Sequence, residues 1–140
     1  MLANRLAIAT EIPAVELDDL FWRRGLAATP HDEWLALQED LVHSSQWILD
    51  GDLGPYDVLE PRLSEADAIL VLDFSLLRST WRSLRRSRER LDYWSWLFWW
   101  RWKSRPALVK AIADHASNAE IHVFRNPRAV RRFLTQVHPT

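Results

Sequence analysis

Residues 68–74 read AILVLDF, with apolar side chains at six of seven positions and no polar–apolar alternation. A strand turns successive side chains to opposite faces, so a continuously apolar strand has to be covered on both. That requirement points to a parallel sheet held between layers of helix. Three further runs have strand character: PAVEL at 13–17, QWILDG at 46–51 and EIHVFRN at 120–126. Helical patterns alternate with them. The segment MLANRLAIAT opens the chain with helical spacing at Leu2, Leu6 and Ala9. Thr29-Pro30 starts a second helix, with Thr29 as N-cap and Trp34, Leu37, Leu41 and Val42 on its inward face. Further helices are expected over about 75–90, over a Trp-rich stretch at about 92–103, from Ser104-Arg105-Pro106 to about Ala116, and after Asn126-Pro127. The alternation predicts an α/β protein, a single three-layer α/β/α domain over residues 1–140, and 48% apolar content is enough for its core.

The order of elements is unusual at the start. In a right-handed β-α-β progression an opening helix follows a strand, and here none precedes it. Cysteine is absent, which removes disulfides and thiolate chemistry and suits a reducing cytoplasm. The longest mostly apolar stretch, YWSWLFWWRW at 93–102, is half the roughly 20 residues a membrane span needs, so a soluble, cytoplasmic protein without membrane contact is expected. The formal net charge of −1 conceals an uneven distribution. Residues 1–74 carry 4 basic against 15 acidic side chains, and residues 75–140 carry 14 against 4. Such a division fits an acidic segment that holds a cation beside a basic one that holds anionic oxygens; it equally fits two faces that attract one another.

Three elements suggest chemistry. One strand ends in Asp50-Gly51, another ends in Leu72-Asp73, and the helix after it carries Arg82 and Arg86 four residues apart on one face, with Arg78 a turn earlier. A carboxylate delivered by a strand to a glycine turn suits a magnesium ion, and the arginine stripe suits phosphate. The plain alternative for the arginines is a solvated helix face. Asp73 can equally cap the helix that follows, and Asp18 or Asp19 can simply begin the DLFW turn. The five histidines show no metal-ligand spacing.

With VELDDLFW (15–22), WILDGDLGPYDVLEPRLSEADAILVLDF (47–74), the two arginines, SRPALVKAI (104–112) and NPRAVRRFL (126–134) in this order, the chain resembles the P-loop kinases of the adenylate-kinase type. The nearest likeness is to their bacterial topology-modulation branch. The resemblance covers nearly the whole chain. It implies a P-loop NTPase-like parallel sheet with strand order 2-3-1-4-5, ATP and Mg²⁺ as cofactors, and phosphoryl transfer to a nucleotide or small-molecule acceptor. MLANRLA looks like the helix that follows the phosphate loop in that family, so the first and central strand and the G-x-x-x-x-G-K-[ST] loop are lacking. The expectation is a four-stranded, N-terminally truncated domain, from a mis-assigned start or a truncated gene, with a loop-less paralogue as the alternative. Either the strands at 46–51 and 68–74 close the gap and pair directly, or their inner edges stay open.

Carried over by resemblance, Asp50 holds the metal ion, while Asp18 and Arg62 face the phosphate acceptor. Arg82 and Arg86 are the catalytic clamp that neutralises charge on the transferred phosphoryl group. Arg88, Arg90 and Arg105 belong to a lid over about 82–105, and Asn126 and Pro127 lie beside the adenine. Where many relatives have Asp-Gly-Asn-Tyr, this chain has Asp-Gly-Asp-Leu. Without the loop, whose N–H groups and lysine cradle the phosphates, negligible kinase activity is expected. Five tryptophans fall within 94–102 and surround one helix. They suit packing between lid and body, a homodimer contact, base stacking or a membrane-surface role. The alternative function is accordingly a non-catalytic binding protein whose Arg/Trp-rich helices engage a protein partner or nucleic acid, the protein partner being favoured.

Overall fold

The computed structural model describes residues 2–24, 27–51, 53, 57–73 and 105–137. In chain order these form α1 (Leu2–Thr10), β1 (Ala14–Glu16), α2 (Leu17–Phe21), α3 (His31–Val42), β2 (Ile48–Asp50), α4 (Glu60–Glu65), β3 (Ala68–Leu72), α5 (Arg105–His115), β4 (Glu120–Phe124) and α6 (Pro127–Gln136). All four expected strands are present, within a few residues of their predicted bounds. The expected helices over 75–90 and 92–103, and most of the lid with Arg82, Arg86, Arg88 and Arg90, lie outside the described residues.

The protein is mixed α/β. Its described strands form two parallel pairs, β1 with β2 and β3 with β4, in place of one continuous sheet. Ala14 stands opposite Ile48 and Glu16 opposite Asp50; in the second pair Ala68 faces Glu120 and Leu72 faces Phe124. Direct pairing of β2 with β3, one of the two expected outcomes, does not occur. The helices join what the strands leave apart. α1 packs on β1, β2 and α6, α6 packs on β4, and α4 touches both α3 and α5.

Local chemistry explains the element ends. The Thr10 hydroxyl donates to the Leu6 carbonyl (2.8 Å) and accepts from the Ile12 N–H (3.3 Å), while Glu11 takes a positive φ of 59°, which stops α1. Asp18 and Asp19 lie in the first turn of α2, where the positive end of the helix dipole favours them. At α3 the N-cap is Pro30, not Thr29. Thr29 is spent elsewhere, because both its N–H and its hydroxyl donate to the Phe21 carbonyl and tie the turn back to α2. Asn126 does cap α6, its carboxamide oxygen accepting from the Ala129 N–H at 2.9 Å, with Pro127 in the first turn.

Leu17, Phe21, Trp34 and Leu53 make the buried core, with Leu37, Leu41, Leu49 and Val58 packed around it. Phe21 meets Trp34 edge to face at 5.1 Å. This core supports the ends of β1 and β2. A smaller aromatic group, His122, Phe124 and Phe133, joins β4 to α6 at centroid distances of 4.9–6.2 Å. Among the described residues no helix is long and apolar enough to cross a membrane.

Candidate functional site

Ligands of open parallel α/β sheets bind outside the carboxyl ends of the strands. In the β1–β2 pair that end carries two carboxylates. Glu16 is in register with Asp50, and the chain after Glu16 turns directly into α2, which brings Asp18 close to the end of β2. Gly51 makes the approach possible. Its φ is +139°, and a Cβ built there would stand 3.2 Å from the Leu17 Cβ and 3.8 Å from the Asp18 nitrogen. A side chain at this position would be strained and crowded at once.

The Asp18 carboxyl titrates above the usual carboxylate range. Partial desolvation is the main cause, the Trp22 side chain opposes it by hydrogen bonding, and the negative charges of Asp19, Asp50 and Asp57 add to it. Residue 18 is exposed overall, so these charges are felt across a partly solvated cleft.

Behind this end stands a buried polar knot. Arg62 Nη1 donates to Asp57 Oδ1 (2.8 Å), Gln38 Oε1 (2.6 Å) and the Val58 carbonyl (3.3 Å). Its Nη2 donates to Asp57 Oδ2 and to the Gly51 carbonyl (3.4 Å). Asp57 also accepts from the backbone N–H groups of Leu53 and Val58. Burial alone would raise its carboxyl, but hydrogen bonding and charge from Arg62, with help from Leu53 and Trp34, bring it below the usual carboxylate range. The guanidinium expected to face a phosphate acceptor is thus turned to the protein's own loop.

Other expected site residues are similarly engaged. Arg105 Nη2 bonds Asp73 Oδ2 at 2.6 Å, joining the start of α5 to the end of β3. Asn126 and Pro127 form the cap of α6, so the Asn126 oxygen is occupied by the helix. The structure brings together Asp18, Asp50 and, through the knot, Arg62; among the described residues Asn126 and Pro127 make no hydrogen bond to them. Sequence reasoning missed Asp57 and Gln38. Gln38 follows Trp34 by one turn on the buried stripe of α3 and is fully buried. A glutamine on such a stripe signals a polar partner inside, and Arg62 is that partner.

A cavity of about 300 Å³ opens between β2 and β3, with Asp50, Gly51 and Arg62 on its wall. Among the described residues no group of three or more metal-ligating side chains occurs. No family model, curated protein or solved structure matches this chain.

Proposed function

We propose that this chain is a kinase-like, phosphate-handling domain that retains the cation-holding end of such a site and lacks the phosphate cradle, so that it transfers no phosphate by itself. The observation that carries this reading is the placement of Asp50 at the end of β2 and of Asp18 just past the end of its partner β1, close enough for the Asp50 charge to help raise the Asp18 carboxyl. Mg²⁺ is commonly bound by one or two carboxylates, with water and substrate phosphate completing its shell. Two aspartates at a strand end fit that partial role. Bound there, the ion would supply charge neutralisation for phosphate oxygens.

The fit to ATP is poor. The sequence contains no G-x-x-x-x-G-K-[ST] segment, and its three glycines are at 25, 51 and 54. The Arg62 donors are taken by Asp57, Gln38 and backbone oxygens, and Asn126 is taken by α6. The expected result is no magnesium-dependent ATP turnover, together with weak Mn²⁺ binding, read by electron paramagnetic resonance, that is lost in Asp50→Asn and weakened in Asp18→Asn. Mn²⁺ affinity unchanged in both variants, or ATP turnover by the unmodified chain, would overturn the proposal.

A further inference from the structure

Hydrogen-bond directions in the two ladders identify what faces the cavity between β2 and β3. In a parallel pair the N–H and C=O of one residue point to the same side, and successive residues alternate. The Ile48 N–H donates to the Pro13 carbonyl at 3.0 Å, so Ile48 and Asp50 point their backbone groups toward β1. Trp47 and Leu49 point the other way, whereas Gly51, at φ +139°, ends the strand and its carbonyl accepts from Arg62. In the second pair Glu120 N–H donates to the Asp67 carbonyl and Asp73 N–H to the Phe124 carbonyl, both at 2.8 Å. Asp67, Ile69, Val71 and Asp73 therefore serve β4, and Ala68, Leu70 and Leu72 point away from it. The five outward-pointing residues line one cavity, together with Asp50, Ile69 and Val71. Among the described residues no strand pairs with either edge.

We infer that this cavity is a strand-acceptor groove, which binds an extended, apolar segment of another polypeptide between β2 and β3 and so turns the two pairs into one five-stranded sheet. Two rows of amide and carbonyl groups bordering a single cavity suit a ligand with donors and acceptors along both of its own edges, and an extended peptide has them. The wall selects for apolar side chains. Among the described residues its only charged members are Asp50 and Arg62, and the Arg62 charge is already paired with Asp57. Leu49, Leu63, Ile69 and Leu108 are among its apolar members. The state with an occupant also relieves a weakness of the state without one, since two-stranded sheets are marginal in water and a third strand adds disproportionately. This inference does not depend on phosphate handling: it uses the long edges of β2 and β3, whereas the proposed cation site uses the end of β2.

The test uses the full chain and a synthetic peptide of about seven residues, long enough for one strand, alternating valine and isoleucine with lysine at each terminus for solubility. Peptide binding is followed by fluorescence anisotropy, and residue-resolved amide exchange is followed by NMR. The expected result is saturable binding with exchange slowed about tenfold or more at Leu49, Leu70 and Leu72, and little change at Ile69 and Val71, whose N–H groups already serve β4. A peptide of the same sequence with N-methyl groups at two alternate positions should bind about tenfold or more weakly, because it loses ladder donors while keeping its apolar surface. Three results would overturn the inference: no binding of the unmodified peptide, equal binding of the methylated one, or protection confined to residues away from β2 and β3. The first would leave the cavity as plain apolar space, and the second would make it a site for greasy ligands of any shape.

Discussion

The two strand pairs are both parallel, three residues long in β1–β2 and five in β3–β4, and they differ in their surroundings. Behind β1 and β2, Trp34 and Leu17 are fully buried, Phe21 is nearly so, and the knot of Arg62, Asp57 and Gln38 has its hydrogen bonds satisfied. On β4, Ile121 and Val123 stay about half exposed, at 47% and 51%, and Val109 of α5 is 60% exposed. Burial near 25 cal/mol per Å² is what holds a small domain together, so the first pair is anchored and the second is lightly held. The shorter ladder is therefore the better anchored, because what packs on a sheet matters more than its hydrogen bonds.

Replacement of residues in each half should make that contrast measurable. Arg62→Ala leaves the Asp57 carboxylate buried without its partner and should destabilise the fold by about 3–5 kcal/mol in urea unfolding. Trp34→Ala empties the aromatic core and should cost a similar 3–5 kcal/mol or unfold the chain outright. If both variants keep near-native midpoints, the first half is not the anchor. Gly51→Ala should cost about 1–3 kcal/mol, since a side chain at φ +139° is strained and meets Leu17. Val123→Ala, in contrast, should change stability by less than about 0.5 kcal/mol. A large loss there would mean that β4 is covered by a partner in solution.

Acid should act through the same knot. The folded-state pKa of Asp57 lies below its ordinary 3.8, so the unfolded chain binds the extra proton, and stability rises with pH across the window beneath 3.8. The stabilisation is complete above that value and is lost as pH falls through the folded pKa. Asp18 has the opposite sign: its raised pKa means stability declines slightly as pH climbs from 3.8 through the folded value. Urea midpoints measured between about pH 2 and 6 should therefore fall steeply on the acid side. Asp57→Asn should flatten that fall, and Asp18→Asn should leave it in place.

Much of this was legible in the sequence because strands and helices advertise their faces. The unbroken apolar run at 68–74 gave β3, the Trp34–Leu37–Leu41 spacing gave α3, and Asn126-Pro127 gave both the cap and the start of α6. Short polar devices were harder to see. Thr29 has the chemistry of an N-cap, yet a tertiary contact with the Phe21 carbonyl claims its hydroxyl. Arg62 has the chemistry of a phosphate ligand, yet the carboxylate five residues before it lies close enough to occupy both nitrogens. Side-chain type states what a group can bind; only the fold states which partner reaches it first. The helix α4, six residues with Pro61 in its first turn and no side-chain cap, left too weak a pattern to be read in advance.

Helix α1 touches β1 and β2 and also α6, the companion of β4. A change in spacing between the two strand pairs is felt where α4 meets α5 and along α1. Its contacts are side-chain packing against three elements, so the natural adjustment is sliding of packed surfaces over α1, a shear in which neither pair bends.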